Sequence, residues 1–196
     1  LTGEVDLQAS EGAFVIALGF GRNAAEAGYQ ALATLLDGFE ASREEYLREW
    51  QAFQDTCVPM LEAEENDTGN LYRMSTAVMR IHESKGFPGG LIASLSIPCG
   101  STKGDDDLGG YHLVWPRDLA EVAGGMLAAG AKEDVHRILH YLQVTQEADG
   151  HWSQNMWLDG SPYLRGVQMD EAAFPILLVD LARREGALEG DDLTSF

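Results

Sequence analysis

Segments with helical periodicity alternate with long glycine- and proline-rich loops, and this alternation constrains the fold more than any other feature of the chain. After residue 67, helices are expected in four segments: 71–81, about 118–129, 133–147, and the segment that carries Phe174, Ile176, Leu177 and Leu181. Long loops in compact domains are usually functional. Successive helices, each preceded by a long loop, predict an all-helical toroid or solenoid in which the functional residues lie on one rim. Four helices are too few to close such a ring.

The first of these helices is marked by apolar residues three and four positions apart, which are Leu71, Met74, Val78 and Ile81. The glycine- and proline-containing run 86–90 is expected to end it. An irregular stretch then extends over 91–111, and a second, aromatic-rich loop covers 149–168.

The segment before residue 23 has a different pattern. An apolar run over 14–20 lies between Gly12 and Gly21, which is typical of a short buried strand. No second strand is visible to pair with it.

Two further helices are expected between this run and residue 67. Asn23 has the chemistry of an N-cap for a helix that ends near Gly38. Ser42 and Glu45 match the capping-box pattern ahead of a second helix, which Pro59 is expected to kink or end.

Composition excludes some classes of partner. The chain has 32 acidic and 13 basic residues, with a formal net charge of -19. This charge repels a nucleic-acid backbone and anionic membrane headgroups, and no apolar run approaches the roughly 20 residues that span a bilayer. A neutral ligand such as a glucan is indifferent to net charge. No signal peptide is visible, and the sequence predicts no compartment because it also lacks an initiator Met.

Tryptophan is concentrated in one part of the chain. Three of the four tryptophans fall between Trp115 and Trp157, among charged and amide side chains. Sugar rings have apolar CH faces and polar rims, so flat aromatic faces beside carboxylates and guanidinium groups fit them. Sugar chemistry is therefore the first hypothesis for this region.

The segment 111–118 reads YHLVWPRD. Pro116 holds its predecessor extended. At a helix start, the Arg117 guanidinium can donate hydrogen bonds to neighbouring sugar hydroxyls and the Asp118 carboxylate can accept them. The alternative is structural, with Asp118 favoured by the helix dipole and Arg117 in a surface ion pair. The local sequence leaves both interpretations open.

The segment 149–160 reads DGHWSQNMWLDG. A loop with so many aromatic residues is costly to expose unless a ligand or another element covers it. Trp152 and Trp157 can alternatively anchor the loop to the helices through their bulk, and we expect one of the two to be only structural.

The third segment places Asp170 and Glu171 directly before an apolar run. Two adjacent carboxylates at the mouth of a hydrophobic pocket favour a raised pKa for one of them, as a general acid requires. The alternative is an acidic first helical turn, in which the helix dipole lowers both pKa values.

Together these motifs, YHLVWPRD, DGHWSQNMW and GVQMDEAAFPILL, resemble the bacterial and archaeal glucoamylases and glucodextranases of glycoside hydrolase family fifteen. The similarity runs from about residue 71 to the C-terminus, and residues 1–65 resemble the end of that family's N-terminal β-sandwich and helical linker. The resemblance implies an (α/α)6 catalytic barrel. It also implies an inverting, exo-acting hydrolase that releases glucose from the non-reducing ends of α-glucans.

The resemblance assigns roles to individual residues. Glu171 corresponds to the general acid, and the family's sugar-clamping pair corresponds to Arg117 and Asp118. Further substrate-binding positions implied by the match are Tyr111, Trp115, Trp157 and Gln168. Cys99 departs from the aromatic residue expected in many relatives, which puts that loop's contribution to a sugar subsite in doubt.

The resemblance assigns no residue of this chain as the catalytic base. Inverting glycosidases need two carboxyl groups roughly 6.5–9.5 Å apart, with a water between them. Asp170 is the immediate neighbour of Glu171 on a helix and cannot reach across a sugar ring. In the family the base comes from the last third of the barrel, so we expect it beyond Phe196 and expect this fragment to be inactive alone.

The predicted organisation has three parts: 1–22 as the end of the β-sandwich domain, 23–66 as a helical linker and 67–196 as the first part of a mainly α, toroidal catalytic domain. Two alternatives to a glucan 1,4-α-glucosidase stay open. One is glucodextranase or trehalase specificity on the same scaffold. The other is a non-catalytic glucan-binding module.

No cofactor is expected. His136 and His140 lie four apart on a helix but lack the Glu of a zinc-protease motif, and the acidic run 104–107 lacks the spacing of a calcium loop. Structural calcium is conceivable there without support from a motif. Cys57 and Cys99 are too few for a disulfide framework, and we expect buried thiols.

Overall fold

A computed structural model of the chain describes residues 4–59, 68–95 and 110–190, and of residues 68–70 it describes the backbone alone. The described part contains six helices: α1 (Ala24–Asp37), α2 (Phe39–Thr56), α3 (Thr68–Ile81), α4 (Pro116–Ala128), α5 (Lys132–Thr145) and α6 (Met169–Arg184). It also contains two short strands, β1 (Asn155–Met156) and β2 (Pro162–Leu164). The mainly helical fold predicted from the sequence is confirmed. The chain divides into two compact units, Leu1–Asp55 and Thr56–Phe196.

Helices α1 and α2 belong to the first unit. As predicted, Asn23 caps α1: its side-chain oxygen accepts a hydrogen bond from the Glu26 N–H at 3.0 Å. Gly38, with φ +87°, separates the helices. The predicted start of α2 at Ser42 is wrong, because α2 begins at Phe39 and the Ser42 hydroxyl donates to the Gly38 carbonyl one turn back.

The apolar run at 14–20 forms no regular secondary structure and is not a strand. None of its residues pairs with another described segment, and Leu18 and Phe20 are 76% and 84% exposed. The prediction of a buried strand is therefore wrong in this chain. A strand needs a partner for its backbone N–H and C=O groups, and none of the described residues supplies one.

In the second unit, α4 packs against both α5 and α6 to form the core. Each helix contributes one buried face, as helical periodicity requires. The buried faces comprise Leu119, Ala123, Met126 and Leu127 of α4, Val135, Ile138, Leu139 and Leu142 of α5, and Glu171, Pro175, Leu178 and Ala182 of α6. Glu171 is the only carboxylate on these faces that is fully excluded from solvent.

Helix α3 begins and ends close to its predicted bounds, but its apolar stripe is exposed. Leu71, Met74, Val78 and Ile81 are each more than half exposed, whereas Thr76 is buried. The periodicity thus predicted the helix correctly, although the face that it marks is not part of the described core.

An ion-pair cluster fastens the turn after α3 to α5. We call Arg80, Glu83, Asp134 and Arg137 the charge cluster. Arg137 contacts Glu83 at 3.0 Å and Asp134 at 2.6 Å, and Arg80 contacts both carboxylates. Desolvation alone would raise the pKa of Glu83, but hydrogen bonds from Arg137 and Gly89 together with the charges of Arg80 and Arg137 lower it.

Short extended segments join the loops that lead into α4 and α6. Ala93 N–H donates to the Leu113 carbonyl at 2.9 Å, and Val114 and Met156 exchange two backbone hydrogen bonds at 2.9 and 3.0 Å. Strands β1 and β2 extend the arrangement as an antiparallel pair. We call these segments (92–94, 111–114, 154–156 and 162–166) the rim.

No helix in the described residues is long and apolar enough to cross a lipid bilayer.

Candidate active site

The start of α4 is shaped by proline. Trp115 is extended, with φ -103° and ψ 125°, and Pro116 occupies the first helical position. Arg117 and Asp118 follow in the first turn, each half-buried. The predicted effect of Pro116 on its predecessor is confirmed.

Glu171 lies in the first turn of α6 with its side chain fully buried. Its Oε2 accepts a hydrogen bond from the backbone N–H of Arg117 at 2.6 Å. Its Oε1 lies 3.2 Å from Arg117 Nη1 but makes no hydrogen bond. The carboxyl group is thus held by one oxygen, and the other has no hydrogen-bond partner.

Arg117 connects the two helix starts. Its Nη1 donates to Asp170 Oδ2 at 2.7 Å, and its Nη2 donates to Asp118 Oδ2 at 3.1 Å. With Glu171 beside it, one guanidinium faces three carboxyl groups. The surface ion pair considered from the sequence is present, but it is part of a larger arrangement.

The two adjacent carboxyl groups have pKa values displaced in opposite directions. Burial raises the pKa of Glu171 to about 7, and the neighbouring carboxylates of Asp170 and Asp118 act in the same direction, against the stabilising contacts of Arg117. The pKa of Asp170 is lowered, chiefly by its hydrogen bond from Arg117. The sequence left open whether both pKa values fall or one rises, and here they separate.

Such a pair supplies the charge states that acid catalysis needs. A carboxyl with a pKa near 7 is largely protonated in mildly acidic solution and can donate that proton. Asp170 and Asp118 are then the negative partners of Arg117. The arrangement is chemically suited to protonating a leaving oxygen.

Aromatic side chains lie on the segments that precede α4 and α6. Tyr111 and Trp115 form a tilted pair with ring centroids 5.9 Å apart, and Trp157 meets Tyr163 edge to face at 5.5 Å. The Val114–Met156 bridge places the segments that carry Trp115 and Trp157 side by side.

Trp152 has a structural role, unlike Trp157. It is buried, and its indole N–H donates to the Leu142 carbonyl of α5 at 2.9 Å. Trp157 is only half-buried. The expectation that one of these two tryptophans anchors the loop is therefore met by Trp152.

Gln168 is the residue before α6. Its backbone is extended, its carbonyl accepts the Ala172 N–H at 3.2 Å, and its half-buried side chain makes no capping hydrogen bond. Its amide lies three residues from Glu171 in sequence, at the start of the same helix.

Sequence reasoning missed Tyr163. This residue belongs to β2, inside a segment that the sequence presented as an irregular loop. A signal was available, because Asp159 and Gly160 form a turn pair between two short apolar runs, which is a hairpin pattern.

The remaining candidates do not form a metal site in the described residues, where no group of three or more metal-ligating side chains lies together. His136 and His140 stack edge to face with centroids 4.6 Å apart. Cys57 is buried, as expected. Cys99 and the acidic run 104–107 lie outside the described residues.

Comparison with known proteins gives matches that cover both units of the chain. Residues 1–55 match the family described as glucodextranase, domain N, and this range coincides with the first compact unit. The chain is 38% identical to a glucoamylase of Clostridium sp. (strain G0005) over 92% of its own length and 25% of that protein. An uncharacterized glycosyl hydrolase of Methanocaldococcus jannaschii is 30% identical over 41% of this chain and 13% of that protein.

A solved structure shows the same relationship in three dimensions. The crystal structure of a bacterial glucoamylase complexed with acarbose matches with a TM-score of 0.69 and 38% identity, covering 85% of this chain and 24% of that one. The chain thus spans about a quarter of the glucoamylases it matches. In sequence and in fold, this chain is similar to bacterial glucoamylases, and its residues 1–55 match the glucodextranase N domain.

Proposed function

We propose that this chain is part of an exo-acting, inverting glycoside hydrolase that releases glucose from the non-reducing ends of α-glucans. Its relation to glucoamylases supports a hydrolase, and the acarbose bound to the solved relative supports an oligosaccharide substrate. The predicted parts 1–22, 23–66 and 67–196 remain our proposal for its domain organisation.

The environment of Glu171 carries this proposal. Its carboxyl is fully buried, has a pKa of about 7 and keeps one oxygen without a hydrogen bond. In the proposed mechanism Glu171 protonates the departing glycosidic oxygen while a water attacks the anomeric carbon in a direct displacement. The acid is left as a carboxylate, which the Arg117 N–H and guanidinium stabilise.

Arg117 and Asp118 form the proposed sugar clamp. Their side chains are 32% and 40% exposed, so polar atoms of both remain accessible to a ligand. A guanidinium already fixed by carboxylates can donate to hydroxyls with little loss of conformational freedom. Tyr111, Trp115, Trp157 and Gln168 are the proposed walls of the sugar site.

The general base is proposed to come from residues outside this chain. Asp118 and Asp170 are both ion-paired with the guanidinium that contacts Glu171, so neither is suited to activating a water across a sugar ring. The base then activates the attacking water and takes its proton.

Replacement of Glu171 by Gln in the full-length protein tests the proposal. Gln keeps the size of the side chain but has no acidic proton, so turnover of maltose should fall by about 10²- to 10⁴-fold while oligosaccharide binding persists. Glu121→Gln, at an exposed position on α4, is the matched control and should keep full activity. Undiminished turnover in Glu171→Gln contradicts the assignment of Glu171 as the general acid. Absence of turnover in the unsubstituted full-length protein favours a protein that only binds glucan.

The pH profile gives an independent test of the same residue. The proton on Glu171 is present below its pKa of about 7 and is lost as the pH rises through that value. We therefore expect kcat/KM to decline on the alkaline side with a midpoint near pH 7. A profile that is flat from pH 5 to pH 9 contradicts the assignment.

A second candidate function is glucodextranase specificity, which the match of residues 1–55 to glucodextranase domain N favours. Trehalase specificity on this scaffold is a related alternative. Rates on maltose, isomaltose and trehalose distinguish the three, because these disaccharides differ only in the linkage that is cut.

A further inference from the structure

Asp170 has no role in the mechanism above, yet it makes the shortest contact of the Arg117 guanidinium. Nη1 lies 2.7 Å from Asp170 Oδ2 and 3.2 Å from Glu171 Oε1, and only the first contact has hydrogen-bond geometry. The second amino group, Nη2, is directed to Asp118. Both ends of the guanidinium are therefore engaged by carboxylates other than Glu171.

This leaves Glu171 Oε1 in an unusual state. The atom is buried and has no hydrogen-bond partner, although a cationic donor lies beside it. Buried polar atoms without partners cost free energy, and an arginine fork facing a carboxylate ordinarily closes into a bidentate pair. Asp170 is the described group whose hydrogen bond holds Nη1 in its observed direction.

We infer that Asp170 is a positioning residue: its hydrogen bond directs Arg117 Nη1 so that this nitrogen lies 3.2 Å from Glu171 Oε1 without donating to it, which leaves Oε1 to carry the transferable proton. The inference rests on the proposed role of Glu171 as general acid. Without Asp170, Nη1 turns to Oε1, the carboxylate form of Glu171 is stabilised, its pKa falls and less of the side chain is protonated near pH 7.

Among the described residues, three charged groups face the Glu171 carboxyl: Arg117 and Asp118 from α4, and Asp170 from its own helix. Removing Asp170 eliminates a negative charge as well as a hydrogen-bond acceptor. The test must separate these two effects, and the side chains available at position 170 allow it.

Asp170→Asn and Asp170→Ala both remove the charge, but Asn keeps an oxygen able to accept from Nη1. In the 196-residue chain, ¹³C NMR of labelled Glu carboxyl groups follows the titration of Glu171 directly, with Glu171→Gln used to assign the signal. We expect the titration midpoint in Asp170→Ala to fall by about 1 pH unit below that in Asp170→Asn. Asp118→Asn, which leaves the Nη1 contact in place, should resemble Asp170→Asn.

Equal midpoints in Asp170→Ala and Asp170→Asn overturn the inference, because the effect is then due to charge alone. An unchanged midpoint in both variants overturns it as well. Should Asp170→Ala fail to fold, Asp170→Ser replaces it, since Ser is neutral, too short to reach Nη1 at 2.7 Å and well tolerated in a first helical turn.

The two proposals fail in different experiments. The titration needs no substrate, so it reports on Asp170 even if the chain catalyses nothing. Full activity in Glu171→Gln contradicts the role of Glu171 as general acid and does not affect the titration result. Equal titration midpoints in Asp170→Ala and Asp170→Asn contradict the positioning role of Asp170 and do not affect the role of Glu171 as general acid. In an active full-length protein, the alkaline decline of kcat/KM should begin at lower pH in Asp170→Ala than in Asp170→Asn.

Discussion

Asp170 and Glu171 are adjacent in sequence, but their carboxyl groups lie in opposite environments. The Asp170 side chain is 41% exposed and bound to a guanidinium, whereas that of Glu171 is fully buried with one oxygen lacking a hydrogen bond. One residue's rotation along α6 turns the two side chains to different faces. A single helix start thereby provides one ionised and one largely protonated carboxyl in mildly acidic solution.

The buried acid should reduce stability at alkaline pH. The folded-state pKa of about 7 exceeds the unfolded value of 4.5, so the folded protein binds more protons between these values and its stability falls as the pH rises through this window. Glu171→Gln cannot ionise. The gain in unfolding free energy from this substitution should be larger at pH 8 than at pH 5 by on the order of 2 kcal/mol.

Urea denaturation of the 196-residue chain at the two pH values measures this difference. Glu121→Gln, at an exposed position, should show no comparable dependence on pH. An equal effect of Glu171→Gln at pH 5 and pH 8 means that Glu171 does not have a raised pKa in the folded chain.

At the scale of elements, the turn after α3 depends on a glycine. Gly89 has φ +80°, and a Cβ at this position would lie 2.1 Å from the Arg137 carbonyl oxygen. Gly89→Ala should therefore destabilise the chain by about 3 kcal/mol or more, through backbone strain and through displacement of α5.

Gly124→Ala is the matched control. Gly124 lies within α4, and an added Cβ there meets no atom within 4 Å, so alanine should stabilise the chain by about 0.5–1 kcal/mol. Urea midpoints at constant m-value measure both changes. Equal effects of the two substitutions would show that the close contact at Gly89 relaxes without cost.

The elements also show what a sequence can and cannot predict. Helices α3 to α6 were predictable because apolar residues at spacings of three and four, with proline and glycine at the ends, report local geometry. The strand predicted at 14–20 failed, because strand formation depends on a partner distant in sequence or absent from the described residues. Ser42 failed as a cap because the Gly38 break lets α2 start earlier.

For the candidate site, as for the helices, the local sequence predicted the position of each residue but not the contacts between elements. The sequence placed Arg117 at one helix start and Asp170 and Glu171 at another, but their pairing across α4 and α6 is tertiary. No local pattern specifies that one guanidinium faces three carboxyl groups, or that Trp152 and not Trp157 reaches the core. Tyr163 was missed because a two-strand hairpin within an aromatic-rich loop has only a weak signal.

At the scale of the whole molecule, the proposed mechanism divides the catalytic pair between this chain and residues outside it. The chain supplies the acid, and we propose that the base lies elsewhere. Purified 196-residue chain should therefore release no glucose from maltose or dextran, because unactivated water attacks too slowly. Release of glucose by this chain in a coupled enzyme assay contradicts the proposal that the general base lies outside it. One of the chain's own carboxylates would then have to act as the base.

The rim has a consequence for which side chains can be substituted. Its segments are fastened to one another by main-chain hydrogen bonds, such as those between Val114 and Met156, which do not depend on side-chain identity. Outward-facing side chains can thus be exchanged while the chain trace beneath them persists. Such positions include Tyr163 and Leu164, and substitution there should leave the buried Glu171 carboxyl in place.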